Sequence, residues 1–269
     1  GSDEAFYKVG NCFEYGVGVE QSYPAALSNY FEALKLGNTE AAFALGTFYE
    51  NGLGTEQDYK TALKFYSIAA DKFHPSALFN MGRFYQFGWD VPVDYSIAHK
   101  HFLMAAERGH SMCKFLVAQA LLRGVGETTI DLEKGFYWLK RAAESGLAEA
   151  EAELGLCYMF GKGMNQDYAA AIFWSRKAAE KGLAWAQCRL GCALIRKSER
   201  NENDLVEAVK WLILSYNQPD EDDGKRHKVI QVDYEFAKSA LPPEKFDEAR
   251  QSAELHLAEN APSAENQIA

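Results

Sequence analysis

The sequence predicts an all-α chain, an α-solenoid of six helix-hairpin repeats closed by a C-terminal helical cap. Three observations predict it. A small residue recurs at a nearly constant interval, a glycine follows each recurrence at loop distance, and no strand-like segment accompanies those glycines.

The small residue of an "LG" pair stands at Gly10, Gly46, Gly82, Ala118, Gly155 and Gly191. The interval of about 36 residues is one at which helix pairs stack into arrays. Three residues on come Phe13, Tyr49, Tyr85, Leu121, Tyr158 and Leu194. Together these positions form one face of an amphipathic helix, and the small residue lets a neighbouring backbone come close. Gly16, Gly52, Gly88, Gly124 and Gly161 then stop that first helix in the left-handed region, with Lys197 in the sixth copy. Ser22, Asp58, Asp94, Asp131, Asp167 and Asp204 follow as caps of the second helix, and "DLVE" at 204–207 has the spacing of a capping box. Ala69-Ala70, Ala105-Ala106, Ala142-Ala143 and Ala178-Ala179 let the second helices pack tightly; Gly37, Gly109, Gly146 and Gly182 end them.

Six such units fill residues 1–219. Residues 220–258 are expected to form capping helices, at about 225–240 and 243–258, the second opened by Pro242-Pro243. Residues 259–269 are expected to be a disordered tail.

A glycine loop that opens a helix can also cradle a phosphate. A phosphate site occurs once, beside a strand, whereas this loop occurs five times with none. The glycines punctuate helices. A net charge of −10 opposes nucleic acid, whose phosphates need a basic surface. The chain is acidic at both ends and near neutral in the middle, which suits a protein or peptide partner with basic patches. No apolar run reaches the roughly 18 residues that cross a membrane.

Cys12 and Cys157 sit at equivalent places four repeats apart, beyond the roughly 7 Å limit for a disulfide. Cys188 and Cys192 lie one turn apart on one helix, and Cys113 has no evident mate. Unpaired cysteines favour a reducing compartment such as the cytoplasm. The start at Gly1-Ser2, without Met, leaves a periplasmic or secreted location open. His99 and His101 are two residues apart and face different ways. His101 fills a place held elsewhere by Phe65, Trp138, Trp174 and Trp211, so it reads as a packing residue. No ligand spacing for a metal accompanies it, and no cofactor is expected. Glu149 and Glu153 read as i, i+4 neighbours on a solvated helix, and no serine sits on a strained strand-to-helix turn. No catalytic residue is assigned.

The pattern in "AAFALGTFYENGLGTEQDYKTALKFYSIAADK" and "AEAELGLCYMFGKGMNQDYAAAIFWSRKAAEKG" closely resembles the Sel-one-like repeats, relatives of the tetratricopeptide repeats. The departures are Asp90 for a second loop glycine, Ala118 for the "LG" glycine, and the long sixth loop "RKSERNEND". The resemblance implies a right-handed superhelix with first helices on the concave side and a non-catalytic adaptor function. It also implies an alternative, an immunity protein that blocks a secreted bacterial toxin such as a phospholipase. Cysteine-clamped relatives suggest a third reading, a small-molecule (β-lactam) binder or enzyme. Here the clamp positions are Ala70 and Leu78, or Ala179 and Gln187, so the clamp is missing.

Function in a repeat scaffold lies where the exposed first-helix face varies. Three residues before the small position stand Tyr7, Phe43, Phe79 and Phe115, then Ala152 and Cys188. One after it stand Asn11, Thr47, Arg83, Gln119, Leu156 and Cys192; four after it, Glu14, Glu50, Gln86, Leu122, Met159 and Ile195. The 100° helical step gathers these positions opposite the packed face. The expected partner-binding set is Tyr7, Asn11, Phe43, Thr47, Glu50, Phe79, Arg83, Gln86, Phe115, Gln119, Leu122 and Met159, centred on repeats two to four. Two packing alternatives stand beside it. The aromatics could be rungs packed between adjacent first helices, and the apolar run Leu156, Met159, Cys192 and Ile195 could be roofed by the C-terminal helices. Packing alone gives no reason for Arg83 and Gln119 beside Phe79 and Phe115, since buried polar groups need partners while exposed aromatic and Arg side chains anchor binding.

Overall fold

The computed structural model describes residues 1–125, 128–219 and 224–259. These form fourteen α-helices and no strand, an all-α repeat solenoid. The acidic run at 220–223 and the expected tail beyond Glu259 lie outside the described residues. The chain divides into two compact units, Gly1–Asp131 and Leu132–Ala269.

The first unit holds α1 (Ser2–Tyr15), α2 (Tyr23–Lys35), α3 (Thr39–Asn51), α4 (Tyr59–Ala70), α5 (Pro75–Phe87), α6 (Tyr95–Glu107) and α7 (Ser111–Arg123), each packed on its chain neighbours. The "LG" glycine makes the hairpins close. A Cβ at Gly46 would lie 2.5 Å from the Tyr66 ring, so any larger residue would push that ring out. Tyr66 is fully buried, and burying an aromatic ring of this size contributes roughly 1.5–3 kcal/mol. Ser22, Asp58 and Asp94 accept from the amides of Ala25, Thr61 and Ile97, which satisfies one orphan donor in each second helix.

The second unit holds α8 (Leu132–Glu144), α9 (Ala148–Phe160), α10 (Tyr168–Glu180), α11 (Ala184–Arg196), α12 (Glu202–Tyr216), α13 (Lys225–Ala240) and α14 (Pro243–Glu259). Helices α8 to α12 pack in chain order, α9 also touches α11, and both C-terminal helices rest on α12. Helix α13 additionally reaches α11, where Ile230, Ala237 and Leu241 join a core containing Met159, Cys188, Cys192 and Ile195. The Arg226 guanidinium donates to the carbonyls of Gln218 and Pro219 at 2.7 Å, pinning the start of α13 to the end of α12. Arg196 pairs with Asp233 at 3.0 Å, α11 to α13.

Two sequence expectations need correction. Asp204 is not the cap of α12. Asn201 is, its side chain accepting from the Asp204 amide while the Asp204 carboxylate accepts from the Asn201 amide, a capping box one turn earlier than "DLVE". Lys197, 2.6 Å from Asp204, favours that choice by holding the carboxylate at the helix start. Glu153 is not solvated; it is buried, and Arg189 of α11 faces it at 3.4 Å. Neighbouring Glu151 is wholly buried, with Lys181 at 2.7 Å and Lys177 at 3.6 Å. Gly37, Gly109, Gly146 and Gly182 hold the left-handed values expected of them, and at the equivalent place after α4 Phe73 holds φ +58, costly for a bulky side chain. Asp90 holds φ +56 in its loop, a conformation Asp tolerates better.

Candidate functional site

Helices α1, α3, α5 and α7 carry the expected set in the first unit. Tyr7, Phe43 and Phe79 are half-buried, and each tilts against the ring that fills its own hairpin. The centroid distances are 5.7 Å for Tyr7 to Tyr30, 5.9 Å for Phe43 to Tyr66 and 6.0 Å for Phe79 to Phe102. Phe43 also stacks on His74, and Phe79 on His110, both at 4.8 Å. These rungs therefore pack along the array while keeping an edge in solvent.

The sequence did not single out His74 and His110 for this role. Each is the cap of the next first helix, its Nδ1 accepting from the amide of Ala77 or Cys113 at 3.2 Å. Only an unprotonated Nδ1 can accept, so the cap fixes the tautomer and presents the ring face to the preceding phenylalanine. Pro75, directly after His74, is the signal that could have marked that cap.

The polar residues between the rungs are organised by the hairpin partners. The Tyr30 hydroxyl donates to Asn11 Oδ1 at 2.7 Å and lies against the Glu14 carboxylate. The Tyr66 hydroxyl donates to Glu50. Burial, and next the facing carboxylate, push both phenols well above their ordinary pKa. In the third hairpin Phe102 replaces the tyrosine and Gln86 replaces the carboxylate. Gln86 and Gln119 then line a cavity of about 160 Å³ over Phe102, beside His99. Thr47 turns inward on its own helix, its hydroxyl donating to the Ala44 carbonyl at 2.8 Å.

Arg83 joins two repeats. Its guanidinium lies 3.4 Å from Glu50, 4.8 Å from the Trp89 ring centroid and 5.8 Å from that of Phe79. The expectation that packing gives no reason for Arg83 is thus corrected, because Glu50 and Trp89 hold it. Its side chain still keeps about a third of its surface in solvent. Trp89 was missed, although a tryptophan directly after a loop glycine occurs only in this copy.

Phe115, Leu122 and Met159 are buried, at 9%, 4% and 2% exposure, so their side chains belong to the core and not to the open face. Cys192 and Ile195 are buried beneath α13 as well. A second missed pair lies at the turn between α4 and α5. The strained Phe73 ring is exposed, with the Arg108 guanidinium 4.3 Å from its centroid. The absent glycine in the series Gly37, Gly109, Gly146 and Gly182 was the signal.

None of the five cysteines forms a disulfide; burial pushes Cys113 up to about 12. Among the described residues no group of three or more His, Cys, Asp and Glu side chains could hold a metal ion, and no helix is long and apolar enough to cross a membrane.

A model of the Sel1 repeat matches six times, at residues 4–38, 39–72, 75–110, 111–147, 148–183 and 186–220. The chain is similar to the crystal structure of a Sel1 repeat protein from Oxalobacter formigenes, with 25% identity over 88% of each chain and a TM-score of 0.65. It is more distantly similar to a protective antigen of uropathogenic Escherichia coli strains displaying an SLR fold, with 21% identity over 99% of this chain and 71% of that one, TM-score 0.47. An immunity protein from Pseudomonas aeruginosa matches at 19% identity over 88% and 82%, TM-score 0.45. With six family matches spanning most of its length, the chain belongs to the Sel1 repeat family, whose arrays are generally non-catalytic and typically mediate protein–protein interaction.

Proposed function

We propose that this chain is a non-catalytic adaptor that holds a protein or peptide segment on the first-helix face of its first unit, along α1, α3, α5 and α7. In this reading residues 1–219 are the recognition array and 220–258 its end cap. One observation carries the proposal: Arg83 is held over Phe79 and Trp89 and braced by Glu50, yet stays partly open to solvent. A guanidinium fixed in advance beside aromatic rings loses little freedom on binding, and such pairs are frequent interface anchors. Around it, Tyr7, Asn11, Phe43, Thr47, Gln86 and Gln119 retain part of their surface. The net charge of −10 favours a partner that brings basic patches alongside the segment Arg83 engages.

The test is capture on the immobilised chain, comparing wild type with Arg83→Glu/Gln119→Glu and with a control, Glu248→Lys, on exposed α14. The reading predicts a partner bound by wild type and control and lost at least about tenfold by the double variant; helical circular dichroism equal to wild type at the capture temperature shows that the variant stays folded despite the carboxylate placed beside Glu50. Equal capture by all three refutes it.

A further inference from the structure

Helices α13 and α14 meet at the Leu241-Pro242-Pro243 turn, where the Tyr234 and Phe246 rings pack edge to face at 5.5 Å. Ala249 and Ala253, both wholly buried, let α14 lie close on α12, while Ile230 and Ala237 seat α13. The first half of α13, the second half of α14 and the end of α12 line a cavity of about 640 Å³. This volume falls in the range of small-molecule sites, roughly 300–1,000 Å³.

Its floor is apolar, made by Leu212, Ile213 and Ile230. At its edge Tyr216 and Leu257 keep 54% and 38% of their surface in water, an arrangement that costs solvation unless something covers them. The backbone polar groups nearby are already engaged: the Tyr216 carbonyl accepts from His227 Nε2–H at 3.1 Å and the Ile213 carbonyl from Asn217 at 2.9 Å.

The charges decide what fits. Lys228 and Arg250 are exposed at the rim. Lys228 has no acid within ion-pair distance among the described residues. Arg250 has only Glu254, one turn along the same helix at 3.8 Å, with both side chains more than half exposed. An ion pair of that kind contributes little and is easily exchanged. In a chain of net charge −10, the cleft is lined by two cations and one weakly engaged carboxylate.

We propose that this cleft binds an amphipathic organic anion, a carboxylate on a straight alkyl chain. The chain lies on the Leu212–Ile213–Ile230 floor and is covered by Tyr216 and Leu257; Lys228 and Arg250 hold the carboxylate. The site lies wholly in the second unit and does not depend on the protein-binding reading of the first.

The experiment is calorimetric titration of the full chain with sodium dodecanoate below its micellar concentration, and with dodecylammonium as the cation of equal chain length. The proposal predicts saturation at one dodecanoate per chain, with dodecylammonium at least about tenfold weaker. Lys228→Glu/Arg250→Glu, both exposed and free of packing duties, should weaken dodecanoate by a similar factor. Ile213→Trp, which fills the floor, should abolish binding; a melting curve at least as high as wild type shows that it folds. Absence of saturable binding overturns the proposal. So does equal affinity for the two head groups, or affinity unmoved by the charge variant.

Discussion

In repeats one and two, the position four residues after the small residue holds Glu14 and Glu50, each facing a tyrosine hydroxyl. In repeats five and six the same position holds Met159 and Ile195, both buried, with Ile195 in the core that α13 joins. This position is thus polar in repeats one to three and apolar and buried at Leu122, Met159 and Ile195. The difference teaches that first-helix faces in this array are not equivalent. A polar group there is tied to the residue that fills its own hairpin, tyrosine with carboxylate and Phe102 with Gln86. An apolar group there accompanies cover from the chain itself. On the proposed reading, recognition falls to the face that stays partly wet.

The largest break in this comparison comes from placing the same charge in both units. Ile195→Asp buries a carboxylate with no partner and should cost about 3–5 kcal/mol. Thr47→Asp, on the half-open face of α3, should stay within about 0.5 kcal/mol. Urea unfolding of the two variants measures both; similar losses would mean that the first-unit face is as closed as the second.

A smaller difference should appear with pH. Burial holds His99, His101 and His110 below the ordinary imidazole value, with His74 and Lys114 adding to the effect at His110. The neutral ring is favoured in the fold, so their stabilising contribution is complete above about pH 6.5, the unfolded value. It is lost as pH falls below that value, because the unfolded chain takes up protons more readily. The His110 cap moves the same way, since a protonated Nδ1 cannot accept from Cys113. Helices α9 to α11 contain no histidine. Hydrogen exchange should therefore show α6 and α7 losing protection between about pH 7 and 5 while α9 to α11 hold theirs. Uniform loss along the chain would remove this distinction.

Much of the fold was legible because it is periodic: small residues, loop glycines and caps each recur six-fold or nearly so, and each local choice agrees with the others. The candidate face was legible as positions but not as environments. That Phe43 and Phe79 would stack on His74 and His110 depends on contacts between repeats, which a one-helix pattern does not contain. Arg83 looked unexplained because its partners, Glu50 and Trp89, lie one repeat back and in the following loop. Met159 stood both in the expected binding set and in the apolar run that the C-terminal helices could roof, and its burial in one core with Ile230, Ala237 and Leu241 agrees with the second. Phe73, by contrast, was visible as the missing glycine in a series and went unread. Asp204 misled because two candidate caps lie three residues apart, and the Lys197 contact that favours Asn201 comes from the preceding loop.

The central claim is that the first-helix face of repeats one to three is open for recognition while that of repeats five and six is closed by its own chain. Hydroxyl-radical footprinting, of the free chain and of its complex with the captured partner, tests it most directly. The account predicts that Tyr7, Phe43 and Phe79 are modified in the free chain and shielded in the complex, while Met159 and Cys192 stay unmodified in both despite the intrinsic reactivity of sulfur. Modification of Met159 at a solvent-exposed rate, or unchanged rates at Phe43 and Phe79 on binding, would contradict it.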